Sequence, residues 1–253
     1  MRVVVKVGTS TLAHATGRLN IRHVEELVKV LSDLENAGHE MILVSSGAIG
    51  MGVGKLNLAE RPSDMPTKQA AAAVGQCELM YTYDRLFTQY GHTVAQILLT
   101  GEDIDHEDRR HNFENTMTRL LQLKVIPVVN ENDTIATAEI RVGDNDTLAA
   151  IVACSVKADL LVLLSDIDGL YTADPHKFHD AQLIPLVKEI SQEIEEIAGD
   201  AGSDLGTGGM TTKIRAAKMA TASGCDMVIT NGDKPNQLYG IIEGELIGTR
   251  FLS

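Results

Sequence analysis

The chain has 253 residues, 44% of them hydrophobic but only 4% aromatic, with no Trp, enough for one large or two small globular domains whose cores lean on Val, Ile, Leu, Ala and Met. Its 22 Lys and Arg against 35 Asp and Glu give a formal charge of -13; this repels nucleic acid and anionic lipid and leaves any anionic ligand to locally placed lysines and backbone N–H groups. Cys77, Cys154 and Cys225 are odd in number and lack Cys-x-x-Cys spacing, so they read as small core residues of a reducing compartment, not as a disulfide frame or metal site.

The first predicted element is a buried strand, Val3 to Val7, with Lys6 inside its apolar run and Gly8-Thr9-Ser10 as its exit. Neither a signal peptide nor a membrane-spanning run is visible, so the expectation is a cytoplasmic protein with no membrane and no nucleic-acid partner. Lys6 either snorkels outward or meets a phosphate at the strand's carboxyl end. Asn20 caps a predicted helix carrying Ile21, Val24, Leu27, Val28, Leu31 and Leu34 at helical spacing, closed by Gly38. A strand at Met41–Val44 exits into Ser45-Ser-Gly-Ala-Ile-Gly-Met-Gly-Val-Gly54, a glycine-rich connection that exposes N–H groups to an oxyanion. It fits neither the dinucleotide fingerprint nor the P-loop.

After a Pro-containing loop at 60–66, Thr67 to Tyr90 reads as a helix, Ala-rich at 70–73 and interrupted by Gly75, suited either to an internal close contact or to a subunit contact. Val94–Leu99 is the next strand, Asp103–Arg110 a charge-dense connection, Phe113–Leu123 a helix and Val125–Val129 a strand. The polar stretch Asn130 to Thr147 crowds Glu131, Asp133, Glu139, Asp144 and Asp146 with three asparagines, and either Asp146 or Thr147 suits as cap of the following helix at 147–157. It is either solvated surface or a ligand site, and its place after a strand favours the second.

Leu160–Leu164 is the most apolar strand and exits into Ser165-Asp-Ile-Asp-Gly. Asp168 and Asp174 are explained as turn residues, while Asp166 is placed to meet the edge or ribose of a nucleotide. Ser191 caps a short acidic helix to Ala198. Gly206-Thr-Gly-Gly-Met-Thr-Thr-Lys213 then passes from a glycine loop into an Ala-rich helix. Lysine at a helix start opposes the macrodipole, so an anion is expected beside Lys213. Asp226–Thr230 is the last clear strand, turning at Asn231-Gly232.

Strands alternating with helices define an α/β chain, and the lysines and carboxylates suit phosphoryl transfer, which asks for positioning and charge neutralisation more than covalent chemistry. Lys6 and Lys213 supply fixed cations. Asp146 orients them, or holds Mg²⁺ through water. Asp133 suits a substrate ammonium, and Asn130 and Asn145 both donate and accept, as a zwitterion requires.

Six segments, Val5–Ser10, Val44–Ile49, Lys68–Gln76, Val129–Asp133 with Val142–Asp146, Ser165–Asp166 with Gly169–Pro175, and Gly206–Lys213, resemble the amino acid kinase family, in order and over nearly the whole chain. Within it the chain is similar to members that phosphorylate the glutamate side chain. The resemblance implies a three-layer αβα sandwich around a mainly parallel sheet, one kinase domain over 1–253 with a glutamate lobe to about 150 and an ATP lobe beyond. It also implies ATP-dependent formation of glutamyl 5-phosphate for proline biosynthesis, with Mg²⁺, proline inhibition and a homo-oligomer, dimer or tetramer. Carried over by position, Lys6, Asp146 and Lys213 are catalytic, and Ser46, Asp133 and Asn145 bind L-glutamate. Lys6, Ser165, Asp166, Thr207, Gly208, Gly209, Met210, Thr211, Thr212 and Lys213 bind ATP, and no metal ligand is certain. The chain is expected to lack the C-terminal PUA domain of many relatives. Kinases of aspartate, acetylglutamate or carbamate are the nearest rivals, and a nucleotide-binding regulator without turnover is the rival of another class.

Overall fold

The computed structural model describes residues 1–14, 18–136, 142, 144–175, 177–200 and 209–253. Its organising element is β1 (Arg2–Val7), an apolar run whose side chains are buried from Val3 to Val7. It lies between β2 (Glu40–Ser45) and β5 (Leu160–Ser165), with Lys6 in register with Val44 on one side and Leu163 on the other. Beyond β2 come β4 (Val125–Glu131) and β3 (Thr93–Leu99), and beyond β5 come β7 (Asp226–Asn231), β8 (Thr249–Phe251) and β6 (Leu186–Val187). The sheet order is β3-β4-β2-β1-β5-β7-β8-β6. Among these neighbours only β7 and β8 run antiparallel. Near-continuous apolar strands are what a parallel sheet covered on both faces demands.

Side-chain alternation divides the core in two. Val3, Val5, Val7, Met41 and Leu43 face α1 (Thr9–Leu12), α2 (Ile21–Asn36), α4 (Met65–Thr88) and α10 (Gln237–Glu243). Val4, Ile42, Val44, Leu161 and Leu163 face α6 (Glu107–Gln122), α7 (Asn145–Val156) and α9 (Met210–Ala222), with α8 (Gln192–Asp200) packed at the rim. Lys6 falls on the Val4 face by the same alternation, which aims it at α7 and α9. The expected three-layer αβα sandwich is therefore the observed fold.

Several elements differ from expectation. The glycine-rich exit of β2 forms α3 (Ala48–Lys55), with Gly47 at its N-cap at φ 107°. Gly50, Gly52 and Gly54 each cost about 1 kcal/mol of helix propensity, so local sequence argues against this helix, and packing on α4 overrides it. The connection Asp103–Arg110 is helical, comprising α5 (Gly101–Asp105) and the first turn of α6. Strand β6, strand β8 and helix α10 are too short to carry a clear period. Asp144 caps α7, accepting from Thr147 N at 2.7 Å and from Thr147 Oγ1 at 2.9 Å, in place of Asp146 or Thr147. Cys225 is buried and Cys154 half-buried, but Cys77 is exposed, so the reading of all three as core residues fails there. Among the described residues no helix is long and apolar enough to cross a membrane.

Gly75 gives the Ala-rich helix an internal close contact. A Cβ at Gly75 would overlap Ala48 O and Gly52 N and stand 2.8 Å from the Ala48 carbonyl carbon, and one at Gly52 would overlap Ala71 O. Helices α3 and α4 thus touch backbone to backbone. Gly75→Ala is expected to destabilise the protein by about 3 kcal/mol, a fall of roughly 6 °C or more in Tm for a chain of this size, read by thermal unfolding. Because Ala48 begins α3, the same variant should weaken whatever binds at the β2 exit.

Candidate active site

Three buried charges meet at the carboxyl end of β1. Asp146, in the first turn of α7 and 1% exposed, places Oδ1 2.7 Å from Lys6 Nζ and Oδ2 3.0 Å from Lys213 Nζ. Lys213 Nζ also donates a hydrogen bond to Oδ2. Thr212 Oγ1 adds a bond to Oδ2 at 3.2 Å. Burial pushes the Asp146 carboxyl up, but the Lys6 and Lys213 ammoniums outweigh it and hold it below the ordinary carboxylate value.

Each member is placed by its own element: Lys6 by the pleat of β1, Asp146 by the capped start of α7, and Lys213 by the first turn of α9. The anion expected beside Lys213 is thus partly supplied by Asp146. Two ammoniums converge on one carboxylate here, an arrangement suited to receiving an anionic group. A Cβ at Gly8 would stand 3.6 Å from Lys6 Nζ, so the absence of a side chain there leaves the ammonium approachable.

Beside this triad lies a polar cavity of ≈ 120 Å³ lined by Thr9, Ser46, Arg61, Asn130, Asp133 and Asn145, together with the first residues of α3. Asn145 precedes Asp146 on the same helical turn, so the two side chains splay from one backbone into cavity and triad. Asn145 Nδ2 donates to Ser46 Oγ at 2.7 Å and to Asn130 Oδ1 at 3.1 Å. Backbone N–H groups at the start of α3 lack a side-chain cap, which suits a carboxylate. Expected residues Ser46, Asp133 and Asn145 are thus gathered in one cavity. Arg61 also lines it; sequence reasoning missed it because it sits in a loop without period or motif.

Ser165 ends β5 and donates to Asp166 Oδ1 at 3.0 Å; Ser165 is buried and Asp166 exposed. Asp168 accepts from Asn231 Nδ2 at 2.9 Å and from Tyr171 OH at 3.0 Å, tying the β5 exit to the end of β7. Gly209 caps α9, the Met210 side chain belongs to the core, and Thr211 Oγ1 donates to Ala198 O at 3.3 Å. Thr207 and Gly208 lie outside the described residues, as does Glu139. Glu131 and Asp144, unassigned from the sequence, also line the polar cavity and hold local structure: Glu131 is buried and accepts from Val142 N at 2.8 Å, and Asp144 is the α7 cap. A larger cavity of ≈ 700 Å³ among Glu107, His111, Cys154 and Met219 contains none of the triad.

A mainly parallel sheet, paired lysines and a neighbouring polar cavity fit a phosphotransferase of the amino acid kinase family, to which the chain belongs: the family's model matches residues 1–231. Full-length relatives narrow this. A glutamate 5-kinase of Clostridium tetani is 55% identical, over 98% of this chain and 93% of its own length. One of Clostridium acetobutylicum is 54% identical over 99% and 94%, and a longer one of Caldanaerobacter subterraneus is 54% identical, with 68% of its length matched. Within the family, the chain belongs to the glutamate 5-kinases. Among solved structures, a carbamate kinase from Giardia lamblia bound to AMP-PNP superposes with a TM-score of 0.71 at 18% identity, covering 100% of this chain and 98% of its own. An isopentenyl phosphate kinase of T. acidophilum in a product complex gives 0.68 at 18%, covering 99% and 100%. These two show the shared fold.

Proposed function

We propose that the chain transfers the γ-phosphoryl group of ATP to the side-chain carboxylate of L-glutamate. A carboxylate oxygen forms the new O–P bond, the bond to the β-phosphate oxygen breaks, and glutamyl 5-phosphate and ADP leave, the entry step of proline biosynthesis. The observation that carries this reading is the Lys6–Asp146–Lys213 triad one residue away from the Asn145–Ser46 cavity, in a chain of the glutamate 5-kinases. No general base is needed, because a carboxylate is already ionised and nucleophilic at neutral pH.

In this reading Lys6 and Lys213 steady the transferring group and Asp146 fixes their spacing. Ser46, Asp133 and Asn145 hold glutamate. Ser165, Asp166 and the segment Thr207 to Lys213 hold ATP, with residues to about 150 forming the glutamate lobe and the remainder the ATP lobe. Among the described residues no three His, Cys, Asp or Glu side chains cluster to grip a metal, and both Asp146 oxygens already face lysines. Mg²⁺ fits as an ion held chiefly by ATP phosphates and water, where it offsets phosphate charge. Proline carries the same α-carboxylate beside an ammonium as glutamate, which supports it as an inhibitor of this cavity. A cytoplasmic homo-oligomer, dimer or tetramer, completes the reading on family resemblance.

The test is hydroxamate formation by the purified protein with ATP, Mg²⁺ and hydroxylamine, comparing glutamate with aspartate and acetylglutamate. Aspartate used as well as glutamate overturns the substrate, and no glutamate-dependent ADP release favours a regulator. Asp133→Ala should raise the glutamate KM by about tenfold or more and leave the ATP KM nearly unchanged, because only ground-state recognition of the ammonium is removed. Parallel steady-state titrations of the two substrates check this.

A further inference from the structure

We infer that Gln76 is a positioning residue that fixes the polarity of the glutamate cavity; this rests on the glutamate reading above. Gln76 lies midway along α4 and is only 6% exposed. One end of its amide is used: Oε1 accepts from Asn130 Nδ2 at 3.0 Å, while Nε2 has no partner among the described residues. A buried donor left unmet is costly, so an apolar residue of the same size would suit this core better unless the acceptor itself is needed.

The direction of the network is unambiguous because it ends on a main-chain N–H. Glu131 N can only donate, and it does so to Asn130 Oδ1 at 2.9 Å. That turns Asn130 Nδ2 toward Gln76, which answers with its oxygen. Asn130 Oδ1 takes a second donor, Asn145 Nδ2, at 3.1 Å, and the other hydrogen of that nitrogen goes to Ser46 Oγ at 2.7 Å. Both N–H bonds of Asn145 are thereby committed, and among the described residues its Oδ1 receives no hydrogen bond. Ser46 Oγ, already an acceptor, keeps its own hydrogen to donate.

The cavity therefore presents an acceptor at Asn145 and a donor at Ser46. These complement an ammonium and a carboxylate respectively. With the Gln76 acceptor removed, Asn130 Nδ2 is a buried donor with no answer, and the orientation that holds Asn145 loses its anchor in the core. Reversal of the Asn145 amide would aim an NH₂ group at the substrate ammonium. Gln76 thus selects for a substrate bearing a free ammonium without touching it.

The experiment compares Gln76→Met, close in shape but without the acceptor, with Gln76→Glu, which keeps an oxygen facing Asn130. Measured are the KM of glutamate, the KM of ATP and the inhibition constant of glutarate, which has both carboxylates and no ammonium. Gln76→Met should raise the glutamate KM by about tenfold or more, with the ATP KM and glutarate inhibition constant within about twofold, the scale of one unmet polar contact. Gln76→Glu should recover most of the loss. Equal rises for glutamate and glutarate, or an unmoved glutamate KM, overturn the inference. Gln76→Leu replaces the Met variant if the latter does not fold. Wild-type protein inert toward glutamate sinks the substrate reading instead. Polarity is then judged from the side-chain amide resonance of Asn145 in a ¹⁵N–¹H spectrum, which must shift in Gln76→Met; an unshifted resonance overturns it.

Discussion

Lys213→Ala is expected to lower kcat by at least about two orders of magnitude while the glutamate KM stays within about threefold, the pattern of an interaction made mainly in the transition state. Lys213 is 5% exposed, and its ammonium is held 3.0 Å from Asp146 before any substrate arrives. An ammonium already in place stabilises charge spreading over the transferring phosphoryl oxygens without reorganisation during reaction. The variant also removes one of the two cations that face Asp146. Lys213→Arg separates charge from position: it restores the cation but not the compact point charge, and should recover only part of the rate. Single-turnover ADP release measures the chemical step. A kcat for Lys213→Ala within about fivefold of wild type would remove Lys213 from that step and leave it as a structural partner of Asp146.

Much of this site was legible because it is written in strand exits. Lys6 inside an apolar strand, the acidic stretch after β4, and a lysine at a helix start each break a local rule, and the fold brings the Lys6 and Lys213 ammoniums within 3.0 Å of the Asp146 carboxylate. The long buried strands and the amphipathic α2 were equally plain. What stayed hidden depends on tertiary partners. Helix α3 exists because Gly52 and Gly75 let two backbones touch, and no window of its own sequence, with three glycines in eight residues, predicts it. Asp144 was passed over as the α7 cap because Asp144, Asp146 and Thr147 are all good capping residues and only geometry decides among them. Glu131 could be given no role because burial of a carboxylate is visible only when the amide it accepts from, Val142 N, is folded over it. Gln76 belongs to a segment that carries the family resemblance, but its role shows only when Asn130 faces it.

Asp146→Asn is expected to damage both rate and stability, and it tests whether one carboxylate sets the spacing of the two cations. The substitution keeps the shape but offers one acceptor oxygen where two ammoniums now find two. One of Lys6 and Lys213 must then face an NH₂ group, donor against donor, in a site where Asp146 is 1% exposed. Removing one partner from a buried ionic cluster costs about 3 kcal/mol or more, and loss of lysine alignment should lower kcat by about a hundredfold. The pH dependence gives the claim a sign. Because the native carboxyl titrates below the ordinary value of 3.8, its contribution is fully present above that pH and fades as pH falls through the lower native value. The stability gap between wild type and Asp146→Asn, measured by urea unfolding, should therefore be constant near neutrality and narrow below about pH 3.8. A gap that persists unchanged in acid would assign the loss to packing around the amide, and a variant with wild-type kcat would show that the lysines keep their places without it. ATP offers a further discrimination, since its phosphates can take over part of the neutralisation that Asp146 provides in the free protein. Saturating ATP should then raise the Tm of Asp146→Asn by more than it raises that of the wild type.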